Sequence, residues 1–599
     1  MTDMPSPASL VEPAGPLPSH TTPAGLQTMA ELRRRRLVVI ALNLSTYAAL
    51  MAGLAVVLGA GGWSIVDLLI LACVAVAAPW TVLGFWNAAF GLWLLHGAAD
   101  GLQRVAPFAR AGDADEPLRL STAVLMTLRN EDPARAMARL RVVKESLDAA
   151  GHGHAFAYFI LSDTSRPEVA AAEETAVETW RRSTSDPERI VYRRRATNEG
   201  FKAGNVRDFL ERWGDGHDLM LPLDADSLMT RDAIVRLVRM MQAHPRLGIL
   251  QSLVVGAPSR SAFARIFQFG MRAGMRAYTF GSAWWIGECG PFWGHNALVR
   301  IAPFKEHCHL PVLPGGPPLG GAVLSHDQVE ATLMRKAGYE VRVLPLENGS
   351  YEENPPTLFD FSVRDLRWCQ GNLQYLRLLD LPGLLPMSRF QLVWAILMFL
   401  GVPAMTLLVA LAPLKLLDGE DPAAFPGALA AALYVAYLLM YLSPKLAGLA
   451  DVLLTPGGVR RYGGAGRFLA GAAVEIAFSF LVGAVTTFRL TLFMGGLLVG
   501  RSIAWDGQTR DAYGIAWGDA ARGLWGPTLF GLAVGLGLAV LSPAALLWSL
   551  PLTLGYLVAI PFTVLTASPA MGERLTRWGL CAVPEEIDMP PELAAVRAG

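Results

Sequence analysis

Charge is scarce in this chain. Only 17% of its 599 residues are charged while 53% are hydrophobic, whereas a soluble globular chain carries about 25% charge. A wholly water-facing surface is therefore excluded. Net charge is missing too, since 51 Lys+Arg balance 51 Asp+Glu, so nothing points to nucleic acid or to an acidic partner. Cysteine is sparse: Cys73, Cys289, Cys308, Cys369 and Cys581 are scattered, with no C-x-x-C pair, which argues against a disulfide framework and against a structural zinc site. An early apolar leader is also lacking. The first 30 residues are rich in Pro, Ser and Thr and read as a disordered tail. No cleavable signal is expected, because the first apolar stretch starts at Leu37 and is long enough to span.

What the chain has instead is long apolar runs, in two groups. Arg33 to Arg36 directly precede Leu37–Leu58 and, by the positive-inside rule, hold the N-terminus in the cytoplasm. A second run, from Ile65 to about Leu95, is interrupted by Pro79, and Trp80, Trp86 and Trp93 suggest an interfacial continuation. The later runs are Phe390–Leu416, Ala428–Leu446, Phe468–Val499, Leu524–Leu541 and Ala545–Thr566. The loop around Asp418 and Asp421 is acidic. Lys445, Arg460, Arg461 and Arg467 make the next loop basic, and Arg501, Arg510 and Arg522 the one after. Both basic loops belong in the cytoplasm, so Phe468–Val499 must cross an even number of times. The expected count is eight crossings, with that segment as two short tilted spans. It is six if the segment is a re-entrant or interfacial hairpin. Both termini are cytoplasmic either way.

The expected organisation is a disordered tail (1–36), two spans (37–99), a cytosolic domain (100–389), a membrane bundle with cytosolic loops (390–570, one loop at about 500–523) and a cytosolic tail (571–599). Within the domain, Ser121–Met126, Ala155–Leu161, Ile190–Tyr192 and Leu219–Leu223 are short apolar β-like runs. Helical patterns separate them, at Pro133–Ala150, up to Trp180, at Ala203–Trp213 and at Arg231–Ala243. Such alternation implies a mostly parallel, doubly wound α/β sheet with ligands at the carboxyl ends of its strands.

The strongest local signal is Leu219-Met-Leu-Pro-Leu-Asp224-Ala225-Asp226, an apolar strand ending in two carboxylates spaced D-x-D. Two hard oxygen donors so placed can hold Mg²⁺ or Mn²⁺ against a diphosphate; a solvated turn fits the same residues about as well. Phe159-Ile-Leu-Ser-Asp163 is another strand ending in an acid, fit either to accept hydrogen bonds from a base or ribose or to cap a helix. Between them, Asn198-Glu-Gly-Phe-Lys202-Ala-Gly204-Asn205 offers a phosphate-seeking Lys202 and a close-approach Gly204, or else a loop into a helix capped near Asn205. Downstream, Leu324-Ser-His326-Asp327-Gln-Val-Glu330 places a carboxylate before an apolar helix starting near Val329. Asp327 could serve as a general base, or as an N-cap with Glu330 at N3, or as both. Arg364-Asp-Leu-Arg367-Trp368-Cys-Gln370-Gly-Asn372 joins an aromatic plane for a sugar to guanidinium groups for diphosphate; a juxtamembrane anchor has the same composition.

The order of these features resembles that of the processive family 2 glycosyltransferases, such as cellulose, hyaluronan and chitin synthases. The resemblance implies a multi-spanning α-helical membrane protein with a cytosolic α/β domain of glycosyltransferase-A type. Two departures separate the chain from cellulose synthases: Ser325-His326-Asp327 stands for T-E-D, and Arg364 for the Gln of Q-x-x-R-W. Ser-His-Asp-x-Val-Glu-Ala, Phe292-Trp-Gly-His295-Asn296-Ala and Arg-Trp-Cys-x-Gly-Asn look like the periplasmic-glucan glucosyltransferase H branch. So do Trp505 with Gln508-Thr-Arg510-Asp511 and the tail Val583-Pro-Glu585-Glu586. The likeness runs from about Val124 to Leu593. It implies an inner-membrane enzyme that transfers glucose from UDP-glucose, with inversion, onto a β-1,2-linked glucan delivered to the periplasm.

By that resemblance Asp327 is the base, and Asp224 and Asp226 hold the metal (Mg²⁺ or Mn²⁺) and the diphosphate. Asp163, Lys202, Glu131, Arg367 and Arg510 contact the nucleotide sugar, and Trp368, His295, Asn296 and Arg364 meet the acceptor. The strand end Leu125-Met-Thr-Leu-Arg129-Asn130-Glu131 has Leu-Arg where the family has Tyr or Cys. The Trp505–Asp511 loop matches a gating loop over the nucleotide. Implied partners are UDP-glucose, the growing glucan, the bilayer, a periplasmic glucan-modifying protein of the same pathway and acyl carrier protein. A lipid glucosyltransferase would need fewer C-terminal spans. Five apolar runs after the domain suggest a conduit instead, with Trp394, Tyr434, Tyr437 and Tyr441 as candidate lining. Other readings are a cellulose-like β-1,4-glucan synthase and a sugar-nucleotide-regulated transporter or osmosensor.

Overall fold

The computed structural model describes residues 26–347, 349–418, 424–503 and 510–598. Most of the expected N-terminal tail, and Trp505 and Gln508, lie outside them. The tail ends earlier than expected, because the first helix already runs over Met29–Leu58, with Thr28 accepting a capping bond from the Glu31 amide. The basic run is therefore inside the helix, and it is used for docking. Arg36 donates to the carbonyls of Trp285 (3.1 Å) and Ile286 (2.7 Å) and pairs with Glu288 (3.1 Å). The second helix, Ile65–His96, is continuous through Pro79 rather than interrupted there, and a Ser64–Asp67 capping box starts it.

The domain is built on a seven-stranded sheet. Its strands are β1 (Thr122–Leu128), β2 (Phe156–Ser162), β3 (Ile190–Arg194), β4 (Leu219–Asp224), β6 (Leu247–Ser252), β8 (Ala297–Arg300) and β9 (Glu340–Leu344), in the spatial order β3-β2-β1-β4-β8-β6-β9. Short strands β5 (Leu228–Met229), β7 (Val255–Gly256) and β10 (Ser350–Glu352) form a second sheet in the order β5-β10-β7, which the sequence did not lead us to expect. The four strands β1 to β4 pair in parallel; β8 alone runs antiparallel, between β4 and β6. All seven residues of β1 are buried, as a parallel strand covered on both faces requires. One face carries Leu140, Val143, Val177, Ile234 and Val238 from three helices, and the other Val206, Phe209, Leu210, Ala331 and Met334 from two. The doubly wound expectation holds, with one antiparallel strand added.

The helix Ala262–Ile286 joins this domain to the membrane half. It crosses the spans so closely that a Cβ at Gly448 would lie 1.3 Å from the Ala273 carbonyl oxygen. Six single helices among the described residues are long and apolar enough to cross a bilayer. A seventh candidate is the pair Pro543–Leu557 and Ala559–Ala567, bent by 58°. The segment expected to make two spans is one unbroken helix, Ala465–Leu498. Near its start Phe468 packs on Phe269 of the helix Ala262–Ile286 at 5.8 Å, and just past its other end Ile503 donates to Gln370 of the domain (3.0 Å). By length and apolarity the candidate crossings among the described residues are six, this helix included, or seven with the bent pair. The two short spans expected here, and the hairpin that was the alternative, are both corrected, because the segment has no break at which either could turn.

The C-terminal tail is docked rather than loose. Glu585 grips the buried Arg272 with both oxygens (2.9 Å each), Glu586 pairs with Arg265 (2.5 Å), and Leu593 enters the core of the domain. The described C-terminal residues thus lie on the same side as the sheet domain.

Candidate active site

The carboxyl ends of β1, β2 and β4 open on one cleft, where the strand order reverses. In register, Thr127 of β1 faces Asp224 of β4, so Glu131, three residues past β1, stands above the D-x-D turn. Ser227 closes that turn: its amide donates to the Asp224 carbonyl (2.9 Å) and its hydroxyl accepts from the Asp224 amide (3.2 Å). Two cations meet the two carboxylates. Lys202 pairs with Asp224, and Arg510 reaches Asp226 at 2.9 Å. Lys202 sits in the first turn of the helix Phe201–Trp213. The N-cap of that helix is Gly200 (φ +68), not a residue near Asn205, which is fully inside the helix.

The electrostatics follow from this crowding. Burial pushes the Glu131 carboxyl up to about 8, and Asp226 and Asp224 add to the push against Arg510 and Lys202. Burial would also raise Asp224, but Lys202, His295 and Arg510 outweigh it and hold Asp224 well below the usual carboxylate range. Arg510 is raised by Asp226, Glu131, Glu353 and Glu352 despite its burial. Among the described residues no three His, Cys, Asp or Glu side chains converge to cage a metal. Two carboxylates on one turn, beside a third that burial, with their charge adding to it, pushes up, still suit a hard divalent ion that takes its remaining ligands from phosphate and water.

Asp163 is placed where expected, after β2, but it neither caps the next helix nor keeps a free oxygen edge. Arg195 forks onto it, Nε to Oδ1 and Nη2 to Oδ2, both at 2.7 Å. The same guanidinium bonds the carbonyls of Glu199 (2.9 Å) and Phe201 (3.0 Å). Asp163 therefore shapes the loop that carries Lys202. Arg195 was invisible in the sequence, where Arg193-Arg-Arg195 reads as solvated charge.

Asp327 lies at the second position of the helix His326–Lys336, one turn earlier than the pattern implied. Ser325, not Asp327, is the N-cap residue, and Glu330 spends its carboxylate on His326 Nδ1 (2.9 Å) instead of on a capping box. Burial lowers His326, but Glu330 and then Asp327 reverse the sign, so it is raised overall. Asp327 packs against Gly294, next to His295. The loop before it hangs on the helix Leu358–Leu373, which carries the Arg364–Asn372 motif, and on its continuation. Gln370 donates to the Pro318 carbonyl (3.1 Å), Gln374 to that of Ala322 (3.1 Å) and Tyr375 to that of Ser325 (2.8 Å). A Cβ at Gly371 would fall 2.1 Å from Ser325 Oγ, so only glycine admits this approach.

Trp368 is 44% exposed, and the Arg364 guanidinium stacks on it at 4.7 Å and on Phe361 at 5.3 Å. Arg367 is buried. His295 approaches the D-x-D turn through Ser227 Oγ (3.4 Å) and Glu352 at 3.6 Å. Asn296 departs from expectation. It is fully buried, in the left-handed region (φ +51), and its amide is spent on Ser350 (2.9 Å) and Tyr351 (3.2 Å). No atom of it is left to meet an acceptor; it holds His295 in place. A further cluster went unread: Glu353 binds Arg139 (2.5 Å) and Arg135 (2.8 Å), Arg135 binds Asp511 (2.7 Å), and the Glu353 carbonyl accepts from Arg510 (2.9 Å). It draws the 510–516 strap over the cleft.

Comparison with known proteins bears on this arrangement. Residues 124–308 match the model of Glycosyl transferase family 2, and residues 219–443 that of Glycosyl transferase family group 2. The chain is 35% identical to "Glucans biosynthesis glucosyltransferase H" of Xanthomonas campestris pv. campestris (strain B100), over 93% of this chain and 88% of that protein. It is 36% identical to the protein of that name in Bradyrhizobium diazoefficiens, over 96% and 79%. Among solved structures, the mannosyltransferase PcManGT from Pyrobaculum calidifontis covers 65% of this chain and 98% of its own at 16% identity with a TM-score of 0.39, too distant a likeness to carry an argument.

Proposed function

We propose, for a chain that belongs to glycosyl transferase family 2 and to the glucans biosynthesis glucosyltransferase H proteins within it, that the reaction is transfer of glucose from UDP-glucose, with inversion, onto a growing β-1,2-linked glucan. The observation that carries this reading is the D-x-D turn with its two cations, with His295 bonded to the turn's Ser227 and Asp327 packed against the adjoining Gly294. Asp224 and Asp226 would hold Mg²⁺ or Mn²⁺, which neutralises charge on the departing diphosphate. Lys202 and Arg510, which pair with the carboxylates in this structure, turn to phosphate oxygens once the donor is bound. Asp163 and Arg195 fix the loop behind the nucleotide, and Glu131 lies at the diphosphate end. Arg367 supports the acceptor-side helix from within. The terminal glucose of the acceptor stacks on Trp368, beside Arg364 and His295. Asp327 takes the proton of the attacking hydroxyl as its oxygen bonds to the anomeric carbon. The bond from that carbon to the diphosphate breaks, and UDP leaves.

The domain lies against a bundle of six or seven candidate crossings, and a polar glucan cannot pass hydrocarbon unaided. We place the enzyme in the bacterial inner membrane, with its domain and both termini in the cytoplasm, and couple synthesis to export. Asp327→Asn decides whether the site performs chemistry: UDP release from UDP-glucose and Mg²⁺ should vanish while UDP binding stays within about threefold. A fully active variant would remove Asp327 from the role of base.

A further inference from the structure

Several charges buried among the membrane-facing helices are matched in pairs. Asp67 pairs with Lys415 at 2.7 Å, Asp451 with Arg276 at 3.1 Å and with His96 at 2.8 Å, and Glu475 with Lys445. Arg489, on the helix Ala465–Leu498, has no carboxylate within reach among the described residues. Its guanidinium lies over the ring of Phe359 at 5.3 Å, and its Nη1 is buried without a hydrogen-bond partner. A cation in apolar surroundings calls for a counter-charge.

Its position narrows what that charge is. Arg489 stands nine residues before the domain-side end of its helix, about 14 Å at 1.5 Å per residue. A side chain at that depth reaches the phosphate level of the domain-side leaflet. Phe359 is shared with the neighbouring span Trp517–Leu541, where a Cβ at Gly523 would lie 2.7 Å from the ring. Phe488 and Phe530 close the same groove at 5.3 Å. Its outer edge is open: Leu492 and Trp525 are 63% and 66% exposed, and the side chain of Arg522, which pairs with Asp519 of its own helix, is 82% exposed. The glucan is neutral; it can bond a guanidinium but cannot balance it. These two helices are also the roots of the segment that carries Arg510 onto Asp226.

We propose that the groove between Ala465–Leu498 and Trp517–Leu541 binds the phosphate of an anionic phospholipid, with Arg489 as the principal cation and Arg522 as the second. The bound headgroup holds the two roots of the Arg510 segment together. The binding is independent of the glucosyltransferase reading, because lipid retention is measured without turnover.

The test titrates the full-length, delipidated protein with phosphatidylglycerol or phosphatidylcholine and counts retained lipids by native mass spectrometry. The parent should retain phosphatidylglycerol in preference, and R489Q should weaken that retention about fivefold, the factor one guanidinium near an anionic headgroup supplies. R489K should keep most of it. In nanodiscs, phosphatidylglycerol should stimulate UDP release by the parent but not by R489Q. R522Q, a change at an exposed site, should lower retention in the same direction by less, and it carries the test if R489Q fails to insert. Equal retention by the parent and both glutamine variants overturns the proposal. Displacement of the lipid by millimolar inorganic phosphate would mark a free-phosphate site and overturn it as well.

Discussion

Replacing Arg510 with glutamine should move two affinities in opposite directions. In this structure Arg510 occupies Asp226 at 2.9 Å, with side chains only 20% and 11% exposed. At an effective dielectric of about 20 their gross attraction is roughly 6 kcal/mol, of which desolvation and screening leave about 2. A divalent ion approaching the D-x-D turn must displace that guanidinium, so R510Q should tighten Mn²⁺ binding to nucleotide-free protein about tenfold. The same guanidinium is assigned to the diphosphate, where losing a charge-assisted contact costs about 2 kcal/mol, or about thirtyfold in kcat/KM for UDP-glucose. Electron paramagnetic resonance of free Mn²⁺ reads the first quantity and coupled UDP release the second. If both affinities fall together, or kcat/KM stays within twofold, Arg510 is not exchanged between Asp226 and the donor.

Three further outcomes follow from local geometry. Gly371→Ala drives a methyl group into Ser325 and its amide; kcat should fall more than about tenfold through displacement of Asp327, with KM for UDP-glucose nearly unchanged, as steady-state kinetics will show. Glu585→Ala strips one carboxylate from the buried Arg272, whose side chain is 3% exposed, and should cost about 3 kcal/mol, seen as a lowered melting temperature in detergent. Glu131 is raised from the ordinary 4.5 to about 8 in the folded protein, so the fold binds the extra proton between those values. Its contribution to stability is fully present below about 4.5 and is lost as pH rises through 8. Melting temperatures measured from pH 5 to 8.5 should therefore fall for the parent relative to Glu131→Gln, corresponding to a loss of stability on the order of a few kcal/mol. Mg²⁺ with UDP should erase the difference.

The parts of the site that could be read in the sequence were those where one strand end supplies one chemistry. Asp163, Asp224 and Asp226 each follow an apolar strand, and a parallel sheet brings such ends together. Residues that act across the chain could not be read this way. Arg195 lies 32 positions from Asp163, and Arg135 lies 376 from Asp511; neither has a local pattern that sets it apart from solvated charge. Asn296 could not be resolved in the sequence because a buried amide and an acceptor ligand look alike in a motif; its bonds to Ser350 and Tyr351 are what the structure adds. Hydropathy located the apolar runs, but it did not reveal that Ala465–Leu498 is one unbroken helix, because apolarity reports immersion and not where a helix turns.

The central claim is a glucose polymerase of defined donor and linkage. Full-length protein in nanodiscs, given radiolabelled UDP-glucose and Mg²⁺, should release UDP and build a polymer whose methylation analysis yields 2-linked glucose. Product dominated by 4-linked glucose would contradict the β-1,2 assignment. Absence of UDP release with every primer tried would contradict the enzyme itself.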